Sequence, residues 1–249
     1  MTLTTYFFKI EIMEIITFDS LPNTNDYLKE LTKKGAKSWT VIHALNQTEG
    51  RGYAGNVWKV EQNLNLTFSL LIKSKLEYKE LIVLNEWVAY CLFVRLKNYT
   101  SNVEIKWPND IIVNNKKLCG ILIENFKLGE EMNSIVGIGV NLNQTDFNQF
   151  PKASSLANET DKSYDIVSFL TELLLVFKNN FQLIEENSFE LIHNLYNEHL
   201  FKRNIQANFK IDGELVSGKI ISCTKQGTLL VEINGECREF LHKQLELIF

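Results

Sequence analysis

Proline is scarce in this chain, with 3 in 249 residues against 12 glycines. That composition excludes a collagen-like protein, low-complexity disorder and a repeat array. No stretch reaches the roughly 18 unbroken apolar residues of a membrane span. The start, 1–18, is apolar but broken by Lys9, Glu11 and Glu14. It has no small-residue cleavage site, so no secretory signal is read there. The four cysteines (Cys91, Cys119, Cys223, Cys237) form no CxxC pair and fall in apolar or strand-like runs. They read as reduced core cysteines of a cytoplasmic protein. Positive charge is not in excess either: 26 basic against 30 acidic residues give a net charge of −4. A nucleic-acid partner held by bulk charge is therefore excluded, and the expectation is a soluble, cytoplasmic protein with no membrane and no nucleic-acid partner.

What is present has the texture of one large domain followed by a small one. Strands are expected at 14–18, 39–45, 64–72, 103–107, 111–113, 118–126 and 134–140. A cluster of turn and cap residues at 19–26 precedes helical spacing at 27–31, with Gly35 as a stop. Residues 81–96 are apolar nearly all round and predict a buried helix; 166–181 and 188–200 predict two more. After Arg203 the pattern changes to short strands at 205–211, 215–221, 229–233 and 238–241. Asp212-Gly213 and Asn234-Gly235 are strong hairpin signals. About 45 residues of this kind predict a small β-barrel that leans on the main domain.

Gly50-Arg51-Gly52-Tyr53-Ala54-Gly55 contains G-x-G-x-x-G. A dinucleotide site needs a helix directly afterwards to receive the pyrophosphate, and here a polar turn and a β-branched strand follow. A kinase reading lacks H-R-D and D-F-G. What survives is a glycine-rich loop between two strands carrying Arg51, suited to a carboxylate or phosphate, or else a hairpin with no ligand. Further on, Lys106-Trp107-Pro108-Asn109-Asp110 ends a strand in a turn that places a cation near an anion. Gly120 interrupts an apolar strand, a sign that something approaches the backbone closely.

Together with Lys117-Leu118-x-Gly120-Ile121-Leu122-x-Glu124 and Gly137-Ile138-Gly139-Val140-Asn141-Leu142-Asn143, that string resembles biotin protein ligase. Gln47-x-x-Gly50-Arg51-Gly52 and Asn23-Thr24-Asn25 fit upstream, so the resemblance covers about 14–249. It implies an α+β fold: a mixed β-sheet packed with helices over 1–203, like class II synthetases and biotin–lipoate ligases, plus an SH3-like C-terminal domain over 204–249. With no helix-turn-helix domain ahead of it, the chain resembles the monofunctional form. Residues 1–12 have no counterpart; either translation begins at Met13 or they add an edge strand.

The resemblance implies an ATP-dependent ligase that converts biotin to biotinyl-5′-AMP and passes it to one lysine of a biotin carboxyl carrier protein, with Mg²⁺ accompanying ATP. Two anions must meet in the first step, so cations and N–H donors are the main requirement. The implied catalytic set is Lys117 bridging carboxylate and α-phosphate, Arg51 supporting it, Lys106 on the phosphates, and Asp110 orienting or deprotonating the carrier lysine or standing near the metal. Biotin would be held by Asn23, Thr24, Asn25, Gln47, Gly50, Arg51, Lys117, Gly120 and Ile121. ATP would be held by Arg51, Gly52, Trp58, Lys106, Asn109, Asn141 and Ser155. No metal-ligand set is assigned. Asn23 stands where the family usually has Ser, and Tyr53 where it often has Arg. The resemblance also admits a homodimer paired through sheet edges.

His193 and His199 are six apart on a predicted helix and do not share a face. Trp39 and Trp87 read as core, while Trp58 and Trp107 suit either core packing or a pocket wall. A lipoate or octanoate ligase or transferase of the same fold would show an arginine-rich stretch with a triple-glycine turn, which is absent. A non-catalytic biotin-binding module would not need Arg51, Lys106 and Lys117 together.

Overall fold

A computed structural model describes residues 5–10, 13–59 and 61–249. The reading of the chain's start therefore lies outside the described residues at positions 1–4, 11 and 12. The elements run β1 (Thr5–Ile10), β2 (Met13–Phe18), α1 (Thr24–Lys33), β3 (Thr40–Ala44), β4 (Leu66–Ser74), α2 (Leu81–Lys97), β5 (Val103–Lys106), β6 (Asp110–Val113), β7 (Lys116–Leu128) and β8 (Glu131–Val140). They continue with α3 (Leu156–Thr160), α4 (Ile166–Asn180), α5 (Gln182–Glu185), α6 (Phe189–Glu198), β9 (Gln206–Ile211), β10 (Glu214–Cys223), β11 (Leu229–Ile233), β12 (Glu236–Phe240) and β13 (Leu245–Ile248). The chain forms two compact units, Met1–Tyr78 with Lys116–Leu174, and Lys79–Asn115 with Leu175–Phe249.

In the first unit the strands lie in the order β1-β2-β3-β4-β8-β7. The pair β2 and β3 is parallel, joined through α1, and every other neighbouring pair is antiparallel. Residues 5–10 form an edge strand, with Thr5 opposite Phe18 and Ile10 opposite Met13. Helix α1 begins at Asn23, an N-cap with extended backbone, and has Asp26 in its first turn and Lys33 in its last. Those charges match the helix dipole. It stops where Gly35 takes φ +97°, a conformation open to glycine. Its buried face sets Leu28 against Ile16, Phe18, Ile42, Leu71 and Ile135.

In the second unit α2 is buried on nearly every side, as its continuous apolarity predicts. Trp87 is wholly enclosed; its indole N–H donates to Asn180 O at 3.1 Å, and the Phe177 and Phe181 rings lie 5.3 and 5.6 Å away. The C-terminal strands of this unit form an antiparallel sheet in the order β12-β11-β10-β9-β13. Both residues of Asp212-Gly213 and of Asn234-Gly235 have positive φ, which a two-residue hairpin of the favoured twist requires. The final strand β13, which no turn signal announced, pairs with β9. Cysteines 91, 119 and 223 are buried, but Cys237 is exposed on β12, so the core reading fails for that one. It lies on an edge strand of which Glu236, Cys237, Arg238 and Glu239 are all exposed and only Phe240 is buried.

Buried in β3, His43 is 0% exposed; its Nδ1 lies 3.3 Å from Thr17 Oγ1, and its Nε2 has no partner among the described residues. Burial pushes its pKa down to about 4, from an ordinary 6.5. The unfolded chain then takes up a proton near pH 6.5 that the folded chain refuses until about pH 4. Stability is therefore full above pH 6.5 and lost as pH falls through that window. Between pH 7 and pH 5 the loss should be about 2 kcal/mol. Urea melts at the two pH values should show it, and His43→Leu should remove most of the difference; an unchanged slope would count against the assignment.

Candidate active site

The first turn of α1 and the strand floor beneath it form a connected polar group. Asn23 Oδ1 accepts from the N–H groups of Asn25 and Asp26 at 2.9 and 3.2 Å, while its Nδ2 donates to Glu49 O at 3.0 Å. A serine could cap the helix in the same way but would have no amide left to reach the loop. Thr24 donates both its backbone N–H and its hydroxyl to Gln47 Oε1, at 2.9 and 3.0 Å. Asn25 Nδ2 donates to Glu124 Oε2 at 2.8 Å and to Leu122 O at 3.3 Å. Ser69 Oγ lies 2.8 Å from Thr24 Oγ1 and 2.6 Å from Asn25 Oδ1. Asn23, Thr24, Asn25, Gln47 and Ser69 are all buried. The sequence reading assigned no role to Ser69 or Glu124; a serine inside the apolar run 66–72 was the available signal for the first.

The glycine loop is a short hairpin, not the start of a helix. Trp58 N–H donates to Gly50 O at 2.9 Å, Gly52 N–H donates to Asn56 O at 2.7 Å, and residues 53–55 make a single tight turn. Tyr53 is exposed at that turn. The hairpin sets the Trp58 indole flat on bare strand. Gly120 of β7 and Gly139 of β8 are directly opposite each other in the ladder. A Cβ at 139 would stand 2.2 Å from Trp58 Cε2, and one at 120 would stand 3.2 Å from Trp58 Cζ3 and 3.4 Å from Lys117 Nζ. Two residues back on β8, a Cβ at 137 would stand 2.3 Å from Asn25 Oδ1. The close approach inferred at Gly120 is thus real, and Gly137 and Gly139 extend it into a strip without side chains. Ile121, next to Gly120, is buried against the core.

Charged groups flank the strip. Arg51 Nη2 lies 2.6 Å from Asp26 Oδ1 and 3.6 Å from Glu124 Oε2, and Lys29 Nζ is 3.9 Å from Glu124 Oε1. Lys117 Nζ is 5.6 Å from the Trp58 ring centroid. Its backbone is clamped by the segment after β8: Lys117 N–H donates to Lys152 O at 2.7 Å, and Ser154 N–H to Lys117 O at 3.0 Å. Asn141 and Ser155 come together here too. Asn141 Nδ2 donates to Ser154 O at 3.1 Å, and Leu156 N–H donates to Asn141 O at 3.0 Å. The Ser155 hydroxyl caps α3, accepting from Asn158 N–H. In the second unit, Lys106 faces Asp110 across the β5–β6 turn at 3.6 Å, and Asn109 is buried between them in sequence.

The biotin/lipoate A/B protein ligase family matches residues 17–141, half of the chain, and the chain belongs to that family. Over 248 residues it is 27% identical to the bifunctional ligase/repressor BirA of Bacillus subtilis, covering 96% of this chain and 76% of that protein. It is 32% identical over 105 residues to the biotin–[acetyl-CoA-carboxylase] ligase of Paracoccus denitrificans, covering 41% of this chain and 43% of that one. Among solved structures, the biotin protein ligase of Aquifex aeolicus in complex with biotin and ATP superposes with a TM-score of 0.78 at 26% identity, over 94% of this chain and 98% of that one.

The double duty of Asn23 sets an expected order of stabilities. Asn23→Ala should cost about 1–2 kcal/mol in urea melts, since cap and loop tie are both lost. Asn23→Ser, which keeps the cap, should cost less than half as much. Equal losses from the two would show that the tie to Glu49 O is what matters.

Proposed function

We propose that the chain is an ATP-dependent biotin ligase acting on a biotin carboxyl carrier protein. The observation that carries this reading is the strip of Gly137, Gly139 and Gly120. Paired donors and acceptors (Asn25, Ser69, Thr24, Gln47) stand at one end, and a lysine at the other. Two residues of strand separate Gly137 from Gly139, about 7 Å. Trp58 and Asn25 themselves fill the strip, so it is the groups at its two ends that select the ligand: the polar group suits an uncharged ring that needs hydrogen bonds, and the lysine suits an anionic tail. Biotin has such a ureido ring and such a carboxylate. A lipoyl dithiolane neither donates nor accepts at its ring, which favours biotin within this family.

In the first step a biotin carboxylate oxygen attacks the α-phosphorus and pyrophosphate leaves. Lys117 supplies the cation between the two anions, and Arg51 supports it from the hairpin after exchanging its acidic partners for substrate. Lys106 is assigned to the phosphates, and Asn109, Asn141, Ser155 and Trp58 are assigned to ATP by their match to the family's motifs. In the second step the carrier amine attacks the acyl carbon, AMP leaves, and Asp110 orients the amine or takes its proton. Among the described residues no group of three or more His, Cys, Asp or Glu side chains is arranged to hold a metal ion. Mg²⁺ would accompany ATP and screen the leaving pyrophosphate. Among the described residues, likewise, no helix is long and apolar enough to cross a membrane.

The direct test is to incubate the chain with biotin, ATP, Mg²⁺ and a carrier domain and follow biotinylation of the carrier; no transfer by a folded protein overturns the reading. Lys117→Ala should lower pyrophosphate release by about 10²–10³-fold, the scale of removing one preorganised transition-state donor, while biotin still binds. Near-normal release would move the bridging role elsewhere.

Tyr53 offers a ring and a hydroxyl where an arginine would bring charge. Tyr53→Arg should slow the escape of preformed biotinyl-adenylate by about tenfold, roughly 1.4 kcal/mol of added closure. The escape rate and the labelling of bystander proteins report it, and unchanged escape would show that tyrosine closes the hairpin equally well.

A further inference from the structure

The turn carrying Lys106 and Asp110 is held from three directions within the second unit. Pro108 O accepts from Asn85 Nδ2 of α2 at 2.8 Å and from the Tyr196 hydroxyl of α6 at 3.1 Å. The third hold comes from the C-terminal sheet. Trp107 Nε1 donates to Gly227 O at 3.0 Å, and its ring lies 5.9 Å from the ring of His242. Lys106 Nζ in turn sits 5.6 Å from the ring centroid of Phe249, which packs edge-on against Phe201 at 5.1 Å.

The acceptor for Trp107 is a fixed one. Gly227 has φ +84°, and a Cβ there would stand 2.9 Å from Ile82 Cδ1 of α2. Its own N–H is tied to Thr224 O at 2.8 Å. The turn between β10 and β11 therefore presents its carbonyl from a pressed, internally bonded position. Burial, with Lys106 and Lys243 nearby, pushes the His242 imidazole down, so the ring beside Lys106 adds no like charge. A tryptophan serving as filler needs only room for its ring. This one, one residue from a lysine and three from an aspartate, donates to a carbonyl 120 residues away and has the Cys223 thiol of the same sheet within reach of the same N–H.

We infer that Trp107 is a positioning residue for Lys106 and Asp110, and that through its bond to Gly227 the C-terminal sheet sets the pose of that pair. The inference rests on the ligase reading.

The test keeps the full chain and replaces Trp107 with 3-benzothienylalanine, which exchanges the N–H for sulfur at nearly constant shape. The expected result is a rise of about three- to tenfold in KM for ATP, the range of one neutral hydrogen bond. Biotin affinity should stay within twofold, and the thermal midpoint should barely move. Gly227→Ala displaces the same carbonyl from the other side, so it should give the same ATP-selective loss, and the double variant should be no worse than the poorer single one. An unchanged KM for ATP, a loss shared by biotin, or additive losses overturns the role of Trp107. A wild-type chain that releases no pyrophosphate overturns the ligase reading, a result distinct from an active wild type with an unaffected variant.

Discussion

A side chain can lie flat on a β-sheet only where the strands beneath it carry no Cβ. At Gly120, Gly137 and Gly139 this chain provides that bare surface, and Trp58 and Asn25 come down onto it. The tryptophan's position fixes the hairpin that bears Arg51; the asparagine's position fixes the first turn of α1, with Thr24 and Gln47 behind it. A methyl group at 139 would meet the indole at 2.2 Å, inside any allowed contact, so the hairpin would have to lift. The polar network and the cations are held in register by the same absence of side chains.

Such a surface also explains why the buried polar groups are tolerated. An unpaired amide or hydroxyl in a dry site costs about 1–3 kcal/mol. Here Gln47 Oε1 accepts twice, Asn25 Nδ2 donates twice, and the single Ser69 hydroxyl proton is shared between Thr24 Oγ1 and Asn25 Oδ1. The Arg51 guanidinium is in use as well, paired with Asp26 and beside Glu124. Any anion brought to Arg51 would have to displace Asp26.

Much of this was legible in the sequence. The strand at β11 and the all-round apolar α2 follow from pattern alone, and the two hairpin turns follow from Asp-Gly and Asn-Gly. Gly120 announced a close approach without naming the visitor, because a glycine shows that space is needed and not who fills it. Trp58 lies 62 positions away, and only the folded loop brings it there. Ser69 and Glu124 were missed for a related reason: each acts through Asn25, and a partner reached across the sheet leaves no spacing in the chain. Cys237 was misplaced because β12 is an edge strand exposed over four successive residues, and strand-like sequence does not say whether a strand ends up at the edge of its sheet. Trp107 was left open between core and wall, and its bond to Gly227 belongs to neither description.

The hairpin of Arg51 leaves the sheet between β3 and β4, and its base is pinned by the bond from Asn63 N–H to Leu45 O at 3.1 Å. Below that pin the ladder between the two strands runs on undisturbed. Doubling the length of a pinned loop adds only about 0.6 kcal/mol of closure entropy. Evolution can therefore lengthen, shorten or recompose the tip with little penalty to the scaffold. Tyr53, exposed at that tip, can be exchanged with little cost to the scaffold, while Gly137 and Gly139 beneath cannot gain a Cβ without a clash.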